Sequence, residues 1–435
     1  MAIYDITGSK VPSATNQTNQ VLIASSDASD GIKSSADYVC TGTNDEVVIQ
    51  QAINQIISEG GGRVCFSNGR FIIDSFPNSD NGDDRVALLL PLRSQGNYNI
   101  ELVGAGFPYA PWKDSNLEGT KIEVSETCYE SLSTESHYTL IRSGYFNTYY
   151  SSLGKAPCVQ ITDMAIEFPS NQRKIIGIDC RYMNNVRIER VRLQSVKDGY
   201  NGYVLGSAPP LAVDGNIGVR FTSGSNSGMI QYFNSVGAYG FYEGFACGGE
   251  HVVCINLYAL FCYYGYTFGN YGWWGNFNHN ITLINCCDEK NVNLPLFADC
   301  GRKEGYNATS TGGPQSITMI DFNMERYASA EVMGGGVAQD FAKEVTPNKF
   351  RGTIEYTMMS TLSANSVNVP FWEHGHGHGF VTRNQAHALS GTSAVRRSYA
   401  PNYMQSFYDT TVNKMLWCID TANKTWVDAQ GNTVS

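Results

Sequence analysis

Charge is scarce in this chain. Asp, Glu, Lys and Arg make up 16% of its 435 residues, and the formal net charge is -10. No run of Lys or Arg occurs, and phosphate binding needs a basic stripe, so the composition argues against a nucleic-acid partner. No window approaches the ~20 apolar residues that span a bilayer, which argues against membrane insertion. The opening Met1-Ala2-Ile3-Tyr4-Asp5 has no basic and then apolar leader, so synthesis in a cytoplasm without a signal peptide is expected. Zinc-type cysteine spacing is missing too. Of 12 Cys, Cys158, Cys180, Cys254, Cys262 and Cys286 sit inside apolar strand patterns, as small core hydrophobes do, and Cys286-Cys287 has no partner at metal spacing. Reduced, structural thiols are expected.

Helical periodicity is also rare, and what replaces it is a repeat. Ile161, Met164 and Ile166 recur 27 positions on as Ile188, Val191 and Leu193. Ile230, Asn234 and Tyr239-Gly240-Phe241 recur 25 on as Ile255, Ala259 and Tyr264-Gly265-Tyr266, and Ile255-Asn256-Leu257 recurs 26 on as Ile281-Thr282-Leu283. Ile281-Thr282-Leu283-Ile284 returns 36 on as Ile317-Thr318-Met319-Ile320. Short period-two alternations broken by Gly and Asn cannot bury an inward face alone, so neighbouring repeats must stack. The expected fold is all-β: a right-handed, single-stranded parallel β-helix with coils ~4.8 Å apart.

Residues 1–38 are polar and aperiodic and are expected to form an arm or attachment segment. Thr43-Asn44-Asp45-Glu46 reads as a capping box opening a helix over 44–58, with Val47, Val48, Ile49, Ala52, Ile53, Ile56 and Ile57 at helical spacing and Gly60-Gly61-Gly62 ending it. Residues 39–330 are assigned to the solenoid. Residues 331–435 are assigned to a small C-terminal β region, non-solenoid at 350–382 and closing in a hairpin over Tyr408–Asp428.

The passage from Asp37 to Ile73, with Gly61-Gly62-Arg63-Val64-Cys65-Phe66-Ser67-Asn68-Gly69-Arg70-Phe71 at its centre, resembles the opening of the pectate-lyase-like β-helix superfamily. That resemblance implies a helix plugging the N-terminal end of the solenoid. It leaves chemistry open, since lyases, hydrolases, epimerases and adhesive spikes share the fold. Met1-Ala2-Ile3-Tyr4-Asp5-Ile6-Thr7-Gly8, Tyr408-Asp409-Thr410-Thr411-Val412-Asn413-Lys414 and Trp426-Val427-Asp428-Ala429-Gln430-Gly431 resemble the ends of phage and prophage tail-appendage proteins. This second resemblance implies a tailspike: a homotrimer on a virion tail, with tail or baseplate partners, that binds and cleaves a bacterial surface polysaccharide.

Stacking the repeats brings candidate chemistry together. One column reads Ala238, Tyr263, Glu289, Glu325 and the next Tyr239, Tyr264, Lys290, Arg326. Two carboxylates one rung apart lie ~5 Å from each other, a spacing that suits a retaining glycosidase. Glu289 and Glu325 are the leading catalytic candidates, with Asp288 and Asp299 nearby; Arg326 or Lys290 would be the base of a lyase, with calcium on carboxylates. Solvated carboxylates paired with Lys290 and Arg326 would give the same pattern. Tyr239, Tyr263, Tyr264, Tyr266, Trp273 and Trp274 are candidate sugar platforms, or else core or trimer-interface rings. His374, His376 and His378 could meet on a trimer axis around a transition metal, or form a Gly-rich turn; no cofactor is required otherwise. Alternatives to the tailspike are a cellular carbohydrate-active enzyme on the same fold, acting on plant or storage glycan, and a non-catalytic adhesive appendage.

Overall fold

The structure is a computed structural model that describes residues 19–79, 85–93, 96–106, 119–144, 156–195, 212–221, 230–269, 278–289, 291, 296–298, 317–320, 322–325, 355–356, 358–359, 381–382, 389–394, 406–420 and 422–434. The chain winds as an all-β parallel β-helix, each strand pairing in parallel with its counterpart one coil on. A coil has three faces. The first carries Gly61–Phe66, Asn99–Val103, Gly249–Ile255 and Asn278–Ile284; the second carries Gly69–Ile73, Thr120–Val124, Tyr258–Leu260, Cys287–Glu289 and Phe322–Glu325. Cys158–Glu167, Val186–Gln194 and Gln231–Tyr239 run across both. Among the described residues a separate 7-stranded sheet, from Arg85–Leu90 to Leu296–Ala298, forms the third.

Inward positions stack into apolar columns. Val21, Val64, Leu102, Ile161, Ile188, Phe233, Cys254 and Leu283 follow one another rung by rung, all buried. Each fully buried side chain of this kind contributes roughly 1.5–3 kcal/mol, so the stack rather than any one coil holds the fold. Where the first face turns into the second, five successive coils each place one residue in the left-handed region: Asp163 (φ 60°), Arg190 (50°), Ser235 (55°), Asn256 (55°) and Asn285 (51°). Asn and Asp tolerate that conformation best. The corner is further tied along the axis, Asn285 Nδ2 donating to Asn256 Oδ1 at 2.6 Å and Arg190 gripping Asp163 at 2.6 and 2.7 Å.

The capping helix is Asp45–Ser58, burying Ile49, Ala52, Ile53, Ile56 and Ile57 against the first strands and leaving Val47 exposed. The capping box does not form. The N-cap is Asn44, in a left-handed conformation without a side-chain cap. Asp45 instead accepts from the amides of Thr41, Gly42 and Ile72, and Glu46 from the Asp74 amide and the Ser75 hydroxyl. These buried carboxylates sew the helix to the first coil rather than to itself.

Parallel pairing reaches beyond the segment where the alternation is plainest in sequence. Gln20–Ala24, within the expected arm, pairs with Gly61–Phe66, and Glu355–Tyr356, Met358–Met359 and Val381–Thr382 extend the stack instead of forming a different region. Ser406–Asp409, Lys414–Asp420, Thr425–Val427 and Thr433–Val434 form an antiparallel meander around Phe407, Leu416, Cys418 and Trp426. Eleven cysteines carry free thiols among the described residues. Burial pushes Cys262 and Cys286 up to about 12, which keeps them inert.

Two of the four repeat spacings are corrected. The 27 and 36 steps are the observed registers. Asn234, however, pairs with Ile255, 21 positions on, and Ile255 with Ile284, 29 on. The misreading came from two Tyr-Gly-aromatic triplets at different places in the coil. Tyr239-Gly240-Phe241 turns the corner after the second face, whereas Tyr264-Gly265-Tyr266 lies on the third and pairs with Glu243-Gly244-Phe245.

Where coils approach most closely, side chains are excluded. A Cβ on Gly104 would lie 2.0 Å from the Asp163 carbonyl oxygen, whereas one on Gly31 would meet nothing within 4 Å. Gly104→Ala is therefore expected to cost about 1–3 kcal/mol in denaturant unfolding, and Gly31→Ala to be neutral or slightly stabilising.

Candidate active site

The second face presents two outward columns. One reads Lys121, Ala165, Arg192, Gly237, Tyr258, Cys287; the other reads Glu123, Glu167, Gln194, Tyr239, Leu260, Glu289. The strands alternate, so the residues between them, Ile122, Ile166, Leu193, Ala238 and Ala259, fill the core. Glu289 and Glu325 are register partners on adjacent rungs.

Although they point outward, Glu167, Arg192 and Glu289 are shielded. Glu167 and Arg192 are 5% and 4% exposed, and Glu289 is 8%. Glu167 lies between two cations, Lys121 Nζ at 3.0 Å and Arg192 Nη2 at 2.5 Å. Higher up, the Tyr258 hydroxyl donates to Glu289 Oε2, and the Tyr258 and Tyr239 rings lie 5.9 Å apart. Burial pushes the Tyr239 phenol up; Arg192 opposes this and Glu289 adds to it, so one ring senses both ends of the stripe.

Other candidates fall elsewhere. Asp288 points inward, where Asn291 Nδ2 donates to it and a Cβ on Gly265 would lie 1.9 Å from its Oδ1. Asn291 also accepts from the Cys262 amide at 2.6 Å and donates to the Ala259 carbonyl at 3.2 Å. Asp288 is thus an interior hydrogen-bonding group, not a surface acid. Tyr266 is fully buried, stacked on Phe245 at 5.2 Å, with its hydroxyl donating to the Leu257 and Cys287 carbonyls. A three-faced coil is wide enough to hold such rings, and Tyr266 leaves the sugar-binding set.

Tyr263 and Tyr264 do not share the columns assigned to them. The observed neighbours of Glu289 and Glu325 are Leu260 and Tyr239. Tyr264 opens a third-face strand, and Tyr263 stacks on Tyr242 at 4.7 Å around the corner from Glu289. Asp299, Arg326, Trp273, Trp274, His374, His376 and His378 lie outside the described residues. Among the described residues no group of three or more His, Cys, Asp or Glu is arranged to hold a metal ion. Lys121, Glu123, Arg192, Gln194 and Tyr258 were missed, and the 29-residue register that sets Tyr258 beneath Cys287 is the signal that finds the last.

No protein-family model matches the chain, and no curated protein does. Solved structures do. The A-module of mannuronan C-5 epimerase AlgE4 from Azotobacter vinelandii is 14% identical over 77% of this chain and 93% of its own, with a TM-score of 0.34. Tailspike protein 3 of bacteriophage CBA120 is 12% identical over 88% of this chain and 67% of its own (TM-score 0.20), and ORF18 of Geobacillus virus E2 is 13% identical over 89% and 82% (TM-score 0.25). At TM-scores below 0.5 these similarities decide nothing about chemistry, which has to be read from the site.

Breaking a shielded ion pair strands a charge, whereas an exposed pair is worth little. Arg192→Met, which leaves Glu167 with Lys121 alone, is expected to cost about 1–3 kcal/mol in urea unfolding at neutral pH. Arg63→Met, which removes the half-exposed pair with Glu101 at 2.7 Å, should cost under about 1 kcal/mol.

Proposed function

We propose that this protein binds a polysaccharide along the second face and hydrolyses it with retention of configuration, as a tailspike-like protein acting on a bacterial surface glycan. One observation carries the reading: Glu289 and Glu325 are in register on adjacent rungs. Rungs ~4.8 Å apart match the roughly 5–5.5 Å carboxyl separation of retaining glycosidases and leave no room for the water an inverting pair needs. A surface that offers similar positions rung after rung also suits a polymer of repeating units better than a small molecule.

In this reading Glu289 is the nucleophile, its carboxylate oriented by the hydroxyl of Tyr258. Glu325 protonates the glycosidic oxygen as Glu289 attacks the anomeric carbon; the bond to the leaving sugar breaks and a glycosyl ester forms on Glu289. Glu325, now a carboxylate, takes a proton from water, which attacks the same carbon and releases Glu289. Homotrimer assembly and placement on a virion tail belong to the same proposal.

The test is incubation with capsule and wall polysaccharides, following new reducing ends and the ultraviolet absorbance of unsaturated uronates. Reducing ends without that absorbance are expected. Glu289→Gln and Glu325→Gln should each lower the rate by roughly 10³-fold or more with little change in thermal stability. Full activity in either variant removes the pair, and unsaturated products make the enzyme a lyase.

A further inference from the structure

We propose that Gly237 and Tyr239 are positioning residues that hold Tyr258 against Glu289. The inference rests on Glu289 acting as assigned above, and extends it to groups that touch neither substrate nor Glu289 itself. In the column Gly237, Tyr258, Cys287, the lowest position has no side chain. The space is taken by a neighbour. A Cβ on Gly237 would lie 2.7 Å from Cε2 and 2.8 Å from the hydroxyl oxygen of Tyr239, so the Tyr239 ring folds back over the glycine and occupies its slot. There it sits one rung below Tyr258, the ring centroids 5.9 Å apart and the planes tilted by 53°. Supported from beneath, Tyr258 reaches up a rung and donates its hydroxyl proton to Glu289 Oε2.

Tyr239 is 7% exposed, so its ring has little freedom to leave the slot. The obstacle to a Cβ at Gly237 is a side chain rather than backbone, so Gly237→Ala should still fold, forcing the ring out of its slot at some cost in stability. Among the described residues, the titratable and charged groups around Glu289 are Tyr258 from the rung below, Tyr239 and Arg192 from rungs further down, Glu325 in register above, and Cys287 and the inward Asp288 on its own strand. A hydrogen bond donated to a carboxylate favours its charged form, so loss of the Tyr258 contact moves the titration of Glu289 to higher pH.

The experiment reads that titration directly, by NMR of isotope-labelled glutamate carboxyl groups, with Glu289 assigned through Glu289→Gln. Tyr258→Phe, Gly237→Ala and Tyr239→Ala should all raise the Glu289 midpoint, and Tyr239→Phe, which keeps the ring, should leave it near wild type. On a cleaved glycan the three shifted variants should lose roughly 10- to 100-fold in kcat with KM nearly unchanged, and the acidic limb of the pH profile should move to higher pH. A midpoint that moves in Tyr258→Phe but stays at the wild-type value in Gly237→Ala and Tyr239→Ala overturns the positioning role. So does a fall in thermal stability without any change in midpoint. If wild-type protein cleaves nothing, the assignment of Glu289 as nucleophile fails, while the midpoints still decide whether the prop exists.

Discussion

The in-register parallel ladder between coils is the constraint from which the rest follows. Each backbone hydrogen bond fixes which residue lies above which, and that converts a spacing along the chain into a column in space. The ladder itself is indifferent to side chains. What sets its register is the inward column, where Ile161, Ile188 and Phe233 must all find the interior, because a slip of one residue would turn the apolar set outward. Once the core has set the register, the outward columns have no choice of neighbours, and Glu289 meets Glu325 as a consequence of Leu283 meeting Met319.

This explains which parts of the molecule could be read from the chain. Where two coils repeat nearly the same letters, as in Ile281-Thr282-Leu283-Ile284 and Ile317-Thr318-Met319-Ile320, the spacing was plain and the Glu289–Glu325 alignment followed from it. Where a coil shortens to 21 residues and the next lengthens to 29, letter matching seized on the wrong Tyr-Gly pair. Both errors fall on the steps below Glu289, so its lower neighbours were misassigned while its alignment with Glu325, set by the 36 step alone, was not. Asp288 and Tyr266 were misplaced for another reason. Residue type alone does not say which way a polar or aromatic side chain faces, and the interior here supplies Asn291 for one and backbone carbonyls for the other.

The helix at the N-terminal end shows how local and long-range demands compete. Asp45 and Glu46 have the identities of a helix start, and a purely local reading spends them on a capping box. In the structure they bond the amides of Ile72 and Asp74 instead. Those amides belong to the first coil, and without partners they would be buried at a cost of about 1–3 kcal/mol each. Joining plug to solenoid is worth more than perfecting the plug.

The candidate site inherits its order from the same ladder. Glu167 is held by Lys121 and Arg192 in the lower half of the stripe, and above it the Tyr239 and Tyr258 rings pack on each other below Glu289. The most direct measurement of the central claim is therefore geometric. With Cys287 replaced by Ser, cysteines placed at 289 and 325 should join in a disulfide on mild oxidation, since neighbouring rungs put their Cα atoms within the roughly 4.4–6.8 Å that such a bond spans. Peptide mass spectrometry of the oxidised protein should find the 289–325 link in most molecules. If those two cysteines stay reduced while the fold is intact, the rungs are not in this register, and the paired acids are not a pair.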